Sequence, residues 1–234
     1  MKRRLLCAGL LAACIAPATA VAQPSESYTP GPFDRIAISG QARIELSQGD
    51  QDMVTVVGGE DVQRAVRMHL RRNELLVSTE GDWKFWSRAP LVLRVQMKEI
   101  RQLVISGLSD IVAVRPIRAD DLRITISGKG DVRLPQLTAQ KLRFEISGAG
   151  DAELGGAVDE LVLRVTGAGR VNAERLRARE ARVAVSGAGT SDLWVTEELK
   201  VAVSGPGNVN YWGKPSVQQA VSGFGTITAR GEKQ

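Results

Sequence analysis

From residue 120 onward the chain alternates apolar and polar residues in short runs, and each run breaks off at a Ser-Gly or Thr-Gly pair. Leu122, Ile124 and Ile126 fall on one side of a two-residue period and Arg123 and Thr125 on the other, the rhythm of a strand with one buried face. The rhythm returns at Leu142, Phe144 and Ile146, then at Leu161, Leu163 and Val165, at Ala181, Val183 and Val185, and at Leu199, Val201 and Val203. Arg143, Glu145, Arg164, Arg182, Lys200 and Gln218 occupy the polar side. The pairs that end the runs are Ser106-Gly107, Ser127-Gly128, Ser147-Gly148, Thr166-Gly167, Ser186-Gly187, Ser204-Gly205 and Ser222-Gly223, with an outlying Ser39-Gly40 ahead of them. From Ser106 the gaps are 21, 20, 19, 20, 18 and 18 residues. A period of this length predicts stacked coils, each too small to bury its own apolar face and completed by its neighbours.

Each coil carries two further apolar stretches. One follows the glycine at Val132 and Leu134, Ala152 and Leu154, Val171 and Ala173, Val209 and Tyr211, and Ile227 and Ala229; the other lies about ten residues past the hydroxyl residue, at Leu137, Val158, Leu176 and Val195. Three apolar stretches separated by turns predict an all-β fold, a single-chain parallel β-helix (β-solenoid) of roughly triangular coils 18–21 residues long. At ~4.8 Å per coil, seven coils would stack to roughly 30 Å, with the inner faces of the parallel strands buried. The corners are read as structural. The glycines after each hydroxyl residue and those two places on, at Gly130, Gly150, Gly169, Gly189, Gly207 and Gly225, would supply positive φ and close approach between coils. The aligned hydroxyls would form a ladder within reach of backbone and of one another.

Residues 28–100 are less regular. Ile36–Ser39, Ala42–Leu46, Met53–Val57, Leu75–Ser78 and Leu91–Met97 read as strands. Val62, Val66 and Leu70 have helical spacing, which predicts one short helix over Asp61–Leu70, placed to cap the open end of the first coil.

The first 22 residues have the parts of an export signal: Lys2, Arg3 and Arg4, an apolar run from Leu5 to Ile15, then Pro17 ahead of Ala20-Val21-Ala22. Cleavage after Ala22 is one reading. Leu11-Ala12-Ala13-Cys14, which looks like a lipoprotein cleavage box with Cys14 as the lipidated residue, is the other. The apolar run is too short to span a bilayer. The expected organisation is signal 1–22, linker 23–32, solenoid domain 33–230 and tail 231–234, exported to the periplasm or outer cell surface. Loss of the three signal cations lowers the formal charge from +5 to +2, which removes the case for a nucleic-acid partner. Both cysteines, Cys7 and Cys14, lie in the signal, so the mature domain has no disulfide.

Candidate chemistry is sparse. Asp110, Asp131 and Asp151 fall at one offset in three adjacent coils, and stacked carboxylates about 5 Å apart either attract a cation such as calcium or bond the local backbone. A serine nucleophile with a histidine base would have to use His69, the one histidine, read as a surface helix residue among Arg67, Arg71 and Arg72. Asp131, Asp151 and Arg164 would be the groups of a β-helical carbohydrate-active enzyme, an alternative resting on fold analogy alone. Trp83, Lys84, Phe85, Trp86 and Arg88 form a candidate contact surface for a sugar, a membrane interface or a partner, or else a hydrophobic lid over the first coils. Trp194 and Tyr211-Trp212 pose the same question at the other end, where an unpaired last coil would be capped or would form a homo-oligomer.

The strands ending in Ser-Gly-x-Gly-Asp at Ile126–Asp131 and Ile146–Asp151, with Ile38-Ser39-Gly40, Leu46-Ser47-Gln48-Gly49-Asp50 and Leu75-Leu76-Val77-Ser78 before them, resemble the putative auto-transporter adhesin head, or GIN, domain family over residues 33–228. The resemblance implies a β-helical exported or surface domain and no catalytic residues or cofactor. The chain departs from the motif late, where the aspartate becomes Arg170, Thr190, Asn208 and Thr226. The expected function is therefore a non-catalytic structural or interaction module of the bacterial envelope, with an envelope protein or glycan as partner. A carbohydrate-active enzyme and a calcium-stabilised adhesin are the alternatives.

Overall fold

A computed structural model describes residues 25–79 and 91–233. The signal segment, both cysteines and Trp83–Arg88 lie outside the described residues. In chain order the elements are β1 (Ser25–Tyr28), β2 (Arg35–Gln48), β3 (Met53–Val57), α1 (Glu60–Ala65), β4 (Val66–Arg71), β5 (Glu74–Thr79), β6 (Val92–Met97), β7 (Gln102–Ala113), β8 (Ile117–Lys129), β9 (Val132–Ala149), β10 (Asp151–Gly167), β11 (Arg170–Gly187), β12 (Thr190–Ser204), β13 (Asn208–Trp212), β14 (Ser216–Ser222) and β15 (Thr226–Ala229). They form a parallel β-solenoid of about six turns with a less regular N-terminal portion.

From β9 to β11 a single strand of 17 or 18 residues runs through a whole coil. The chain bends instead of stopping, at register shifts such as that between Glu153 and Gly155. The columns are in register from coil to coil. Leu122 pairs with Leu142, Leu142 with Leu161, Leu161 with Ala181, Ala181 with Leu199 and Leu199 with Val217. Each apolar position of this column therefore meets an apolar counterpart above and below, whereas on the third face Gly156 stands between Leu137 and Leu176. The columns fill one continuous core in which Phe144 is fully buried between Ile124 and Leu163. The first face leads into each Ser-Gly corner, the second follows the corner, and the third contains Leu137 and its counterparts.

The two glycines of a corner work differently. Gly148, typical of the first, has φ +137°, and a Cβ there would lie 2.3 Å from the Gly128 carbonyl oxygen. The second glycine does not adopt positive φ, contrary to the expectation that both would. It is required by space: a Cβ on Gly150 would lie 2.4 Å from the Gly130 oxygen.

At the N-terminal end β2 lies between β7 on one side and β5 and β6 on the other, all parallel to it. Beyond these the pairing turns antiparallel, β4 on β5, β3 on β6 and β1 on β3, so strands cap the stack. The helix expected over Asp61–Leu70 ends at Ala65, and Val66–Arg71 is strand. Val66, Met68 and Leu70 also fit a two-residue period. A two-residue turn with Arg72 at φ 47° and Asn73 at φ 64° folds this segment onto β5, the geometry of a type I′ hairpin. Tertiary pairing overrode the helical spacing.

The C-terminal end is thinner. β14 pairs only with β12 and β15 only with β13 among the described strands. Gln219 stands where the preceding coil has Val201, Val221 is half exposed, and Phe224 is 94% exposed. The chain then returns beside β13, with Arg230 N donating to Tyr211 O at 2.8 Å and Gly213 N to Gly231 O at 2.9 Å. No helix among the described residues is long and apolar enough to cross a membrane.

Candidate binding surface

The corner residues separate into scaffold and surface. The side chains of Ser127, Ser147, Thr166, Ser186, Ser204 and Ser222 are exposed, that of Ser106 is half-buried, and none of these hydroxyls has a hydrogen-bond partner among the described residues. The expected hydroxyl ladder is therefore aligned but not bonded. The alternating strand turns each hydroxyl outward, while Gly107, Gly128, Gly148, Gly167, Gly187, Gly205 and Gly223 beside them have φ between 109° and 137°.

The aspartates after the corners are bonded across coils. Asp110 Oδ1 accepts from Asp131 N at 3.0 Å, Asp131 Oδ1 from Asp151 N at 3.4 Å, and Asp151 Oδ1 from Arg170 N at 3.1 Å. Each carboxylate staples the next coil, and Asp131 also pairs with Arg133 at 3.3 Å. Where the motif loses its aspartate, backbone takes over. Thr190 N donates to Gly169 O, Asn208 N to Gly189 O and Thr226 N to Gly207 O at 3.0, 2.8 and 3.2 Å. The three acids thus face successive amides, and no group of three or more His, Cys, Asp or Glu side chains among the described residues could hold a metal ion. Ser109 escaped the sequence reading: it is buried, donates to Gly40 O and accepts from Ala42 N, both at 3.2 Å.

The groups of the enzyme alternative do not converge. Arg164, on the first face, pairs with Glu145 at 3.5 Å, while Asp131 and Asp151 begin the second face with the partners just given. His69 is exposed on β4, opposite Leu76, rather than on a helix.

A concavity lies elsewhere, on the third face, where a groove of about 610 Å³ crosses four coils. Register builds it. Arg118 pairs with Thr138, Thr138 with Ala157 and Ala157 with Arg177, all four side chains exposed because their neighbours Ile117, Leu137, Val158 and Leu176 are buried. Thr138 and Ala157 are short, so the row dips between two arginines. The row runs on into Trp194 and Trp212, over whose rings Lys233 Nζ lies at 5.8 and 5.1 Å, a cation–π clasp. Gln48 fixes the first rung, its Oε1 accepting from Arg118 N at 2.8 Å and its Nε2 donating to Arg118 O at 3.0 Å.

The rim is charged and mostly self-paired. Arg101 binds Glu99 at 2.9 Å and Asp34 at 3.3 Å, and with these acids beside it its pKa is raised further. Arg179 pairs with Glu197 at 2.9 Å and Asp159 at 3.7 Å. The hydrogen bond from Arg179 holds the Glu197 carboxyl below its ordinary value, with Arg177 adding a smaller attraction. Asp121 pairs with Arg143, and Asp120 accepts from Gln140 Nε2 at 3.4 Å. The guanidiniums of Arg118 and Arg177 have no hydrogen-bond or ion-pair partner among the described residues. The groove was missed in the sequence because its row keeps no single offset from the third apolar positions: Thr138 and Arg177 follow Leu137 and Leu176, whereas Ala157 precedes Val158. Only the paired register exposes Arg118, Thr138, Ala157 and Arg177 as one row.

Comparison with known proteins agrees with this architecture. A putative adhesin from Bacteroides fragilis superposes with a TM-score of 0.78 at 23% identity, covering 92% of this chain and 98% of its own. A putative adhesin from Parabacteroides merdae gives 0.69 at 21%, covering 88% and 95%. A protein from Parabacteroides distasonis described as a putative lipid binding protein gives 0.68 at 18%, covering 88% and 96%. At these identities the likeness is one of fold. No curated protein matches by sequence. The family described as "Putative auto-transporter adhesin, head GIN domain" matches residues 32–215, and the chain belongs to that family.

Proposed function

We propose that this chain is an exported, non-catalytic interaction module of the bacterial envelope, with residues 33–230 as its working domain. The observation that carries the reading is the third-face groove. It is long, open and rigidly backed by paired strands, and its acids are tied to arginines and amides rather than grouped as an acid and a base. Such a surface makes contact along a length and has no group poised for proton transfer. Family membership supports an adhesin-like role, and the charged start and apolar run of residues 2–15 support export.

The test is cell fractionation with the full chain, together with mass determination of the exported N-terminus. The expected result is an envelope-associated protein that starts at Gln23 or carries lipid on Cys14, and that releases no product from envelope polysaccharide. Retention of Met1 in the cytoplasm would overturn the export reading. Release of shortened polysaccharide would overturn the non-catalytic one.

A further inference from the structure

We propose that the third-face groove binds an acidic polysaccharide, with Arg118 and Arg177 as its two anion contacts. This rests on the interaction-module reading above and deepens it by naming the ligand class. Along the stack the two arginines are three coils apart, roughly 14 Å at ~4.8 Å per step. At that separation they do not close on one small carboxylate. They match a chain that carries acids at intervals and lies along the stack.

Charge accounting singles out these two residues. Glu99, Asp121 and Asp159 are each within ion-pair distance of an arginine, and Asp120 is hydrogen-bonded to Gln140. Arg101 and Arg179 are likewise paired. Arg118 and Arg177 are left as the exposed guanidiniums of the groove without a hydrogen bond or ion pair among the described residues, Arg177 adding only a minor attraction to Glu197. A guanidinium is a planar fork suited to a carboxylate or sulfate. Between them Thr138 and Ala157 leave room for a ring, and Thr138 adds a hydroxyl to bond it.

The rim decides between classes of polyanion. Glu99, Asp120, Asp121 and Asp159 line the same groove. Their carboxylates would repel the closely spaced phosphates of a nucleic acid, whose binding depends on an excess of cations. Sugar hydroxyls, in contrast, donate to carboxylates. A sparsely charged glycan therefore uses both halves of the lining, the arginines through its acids and the rim acids through its hydroxyls.

The test measures binding of the full chain to three probes, polygalacturonate fragments, neutral dextran of matching length and single-stranded DNA, with Arg118→Gln, Arg177→Gln and the double variant alongside. The expected result is binding of polygalacturonate and neither other probe. It should weaken about tenfold in each single variant and be lost in the double, because each substitution removes one charge-assisted contact. Tm should change little, since neither guanidinium has a hydrogen bond or ion pair to lose and the attraction of Arg177 for Glu197 is a minor one. Absence of polygalacturonate binding would overturn the proposal, as would binding that survives both substitutions, equal binding of dextran, or tighter binding of DNA through the same arginines. None of these outcomes bears on export or on catalysis, which fractionation and the product assay decide separately.

Discussion

At the residue scale, the two halves of each Ser-Gly pair carry unequal weight. Gly148 has a backbone conformation that costs any side chain, and a Cβ there would overlap the Gly128 carbonyl of the coil below. That carbonyl belongs to the ladder and cannot move away without breaking it. Ser147, beside it, is exposed with an unpartnered hydroxyl. Gly148→Ala is therefore expected to destabilise by about 2 kcal/mol or more, the sum of a strained φ and a backbone clash. Ser147→Ala should stay within about 0.5 kcal/mol of the parent. Urea unfolding of both variants measures the contrast, and equal midpoints would show that the corner does not depend on its glycine.

At the element scale, a strand here is a layer of a column. Phe144 on β9 sits between Ile124 and Leu163, whose backbones are tied to its own by parallel ladders. Those ladders fix the coil spacing, so the walls of a cavity cannot close around it. Phe144→Ala is expected to cost about 3–5 kcal/mol, toward the upper end of that range for this reason. A calorimetric loss below about 1 kcal/mol would mean that the coils do collapse inward. The same columns explain what was legible in the sequence. Leu122, Leu142, Leu161 and Leu199 announce the solenoid because period and register are the same information. The segment from Val66 to Leu70 did not announce itself, since Val66 and Leu70 fit a helical face and a strand face equally well. The choice was made by β5, through a hairpin turn at Arg72 and Asn73 that lacks the usual glycine. The groove was illegible for a related reason. Its residues come from coils 18 to 21 residues apart, and what distinguishes Arg118 and Arg177 is their place in one groove whose other arginines, Arg101 and Arg179, are ion-paired, which only the folded arrangement reveals.

At the scale of the whole molecule, the coils are joined outside the core by ion pairs that cross from one turn to the next. Glu160 on β10 lies 2.7 Å from Lys141 of the preceding coil and pairs with Arg182 of the following one. Exposed pairs of this kind contribute little singly, but Glu160 is three-quarters covered and bridges three coils. The hydrogen bond from Lys141 is the main cause holding its pKa below the ordinary glutamate value of 4.5, with the charges of Lys141, Arg182 and Arg143 acting in the same direction. A carboxyl depressed in the folded state binds protons more readily when unfolded. Its contribution is therefore full above about pH 4.5 and is lost as pH falls through the folded value. Parent and Glu160→Gln proteins should accordingly differ in Tm at neutral pH, with the parent higher, and the gap should narrow as pH falls below about 4.5. A gap that holds constant down to about pH 3 would assign the effect of the substitution to packing rather than to charge. Because a solenoid is stabilised by contacts between neighbouring coils, weakening one bridge loosens the interface between adjacent turns and leaves the fold of each turn intact. In the parent protein, acid should thus loosen first the interfaces held by the depressed carboxyls, Glu160 with Lys141 and Arg182 and Glu197 with Arg179.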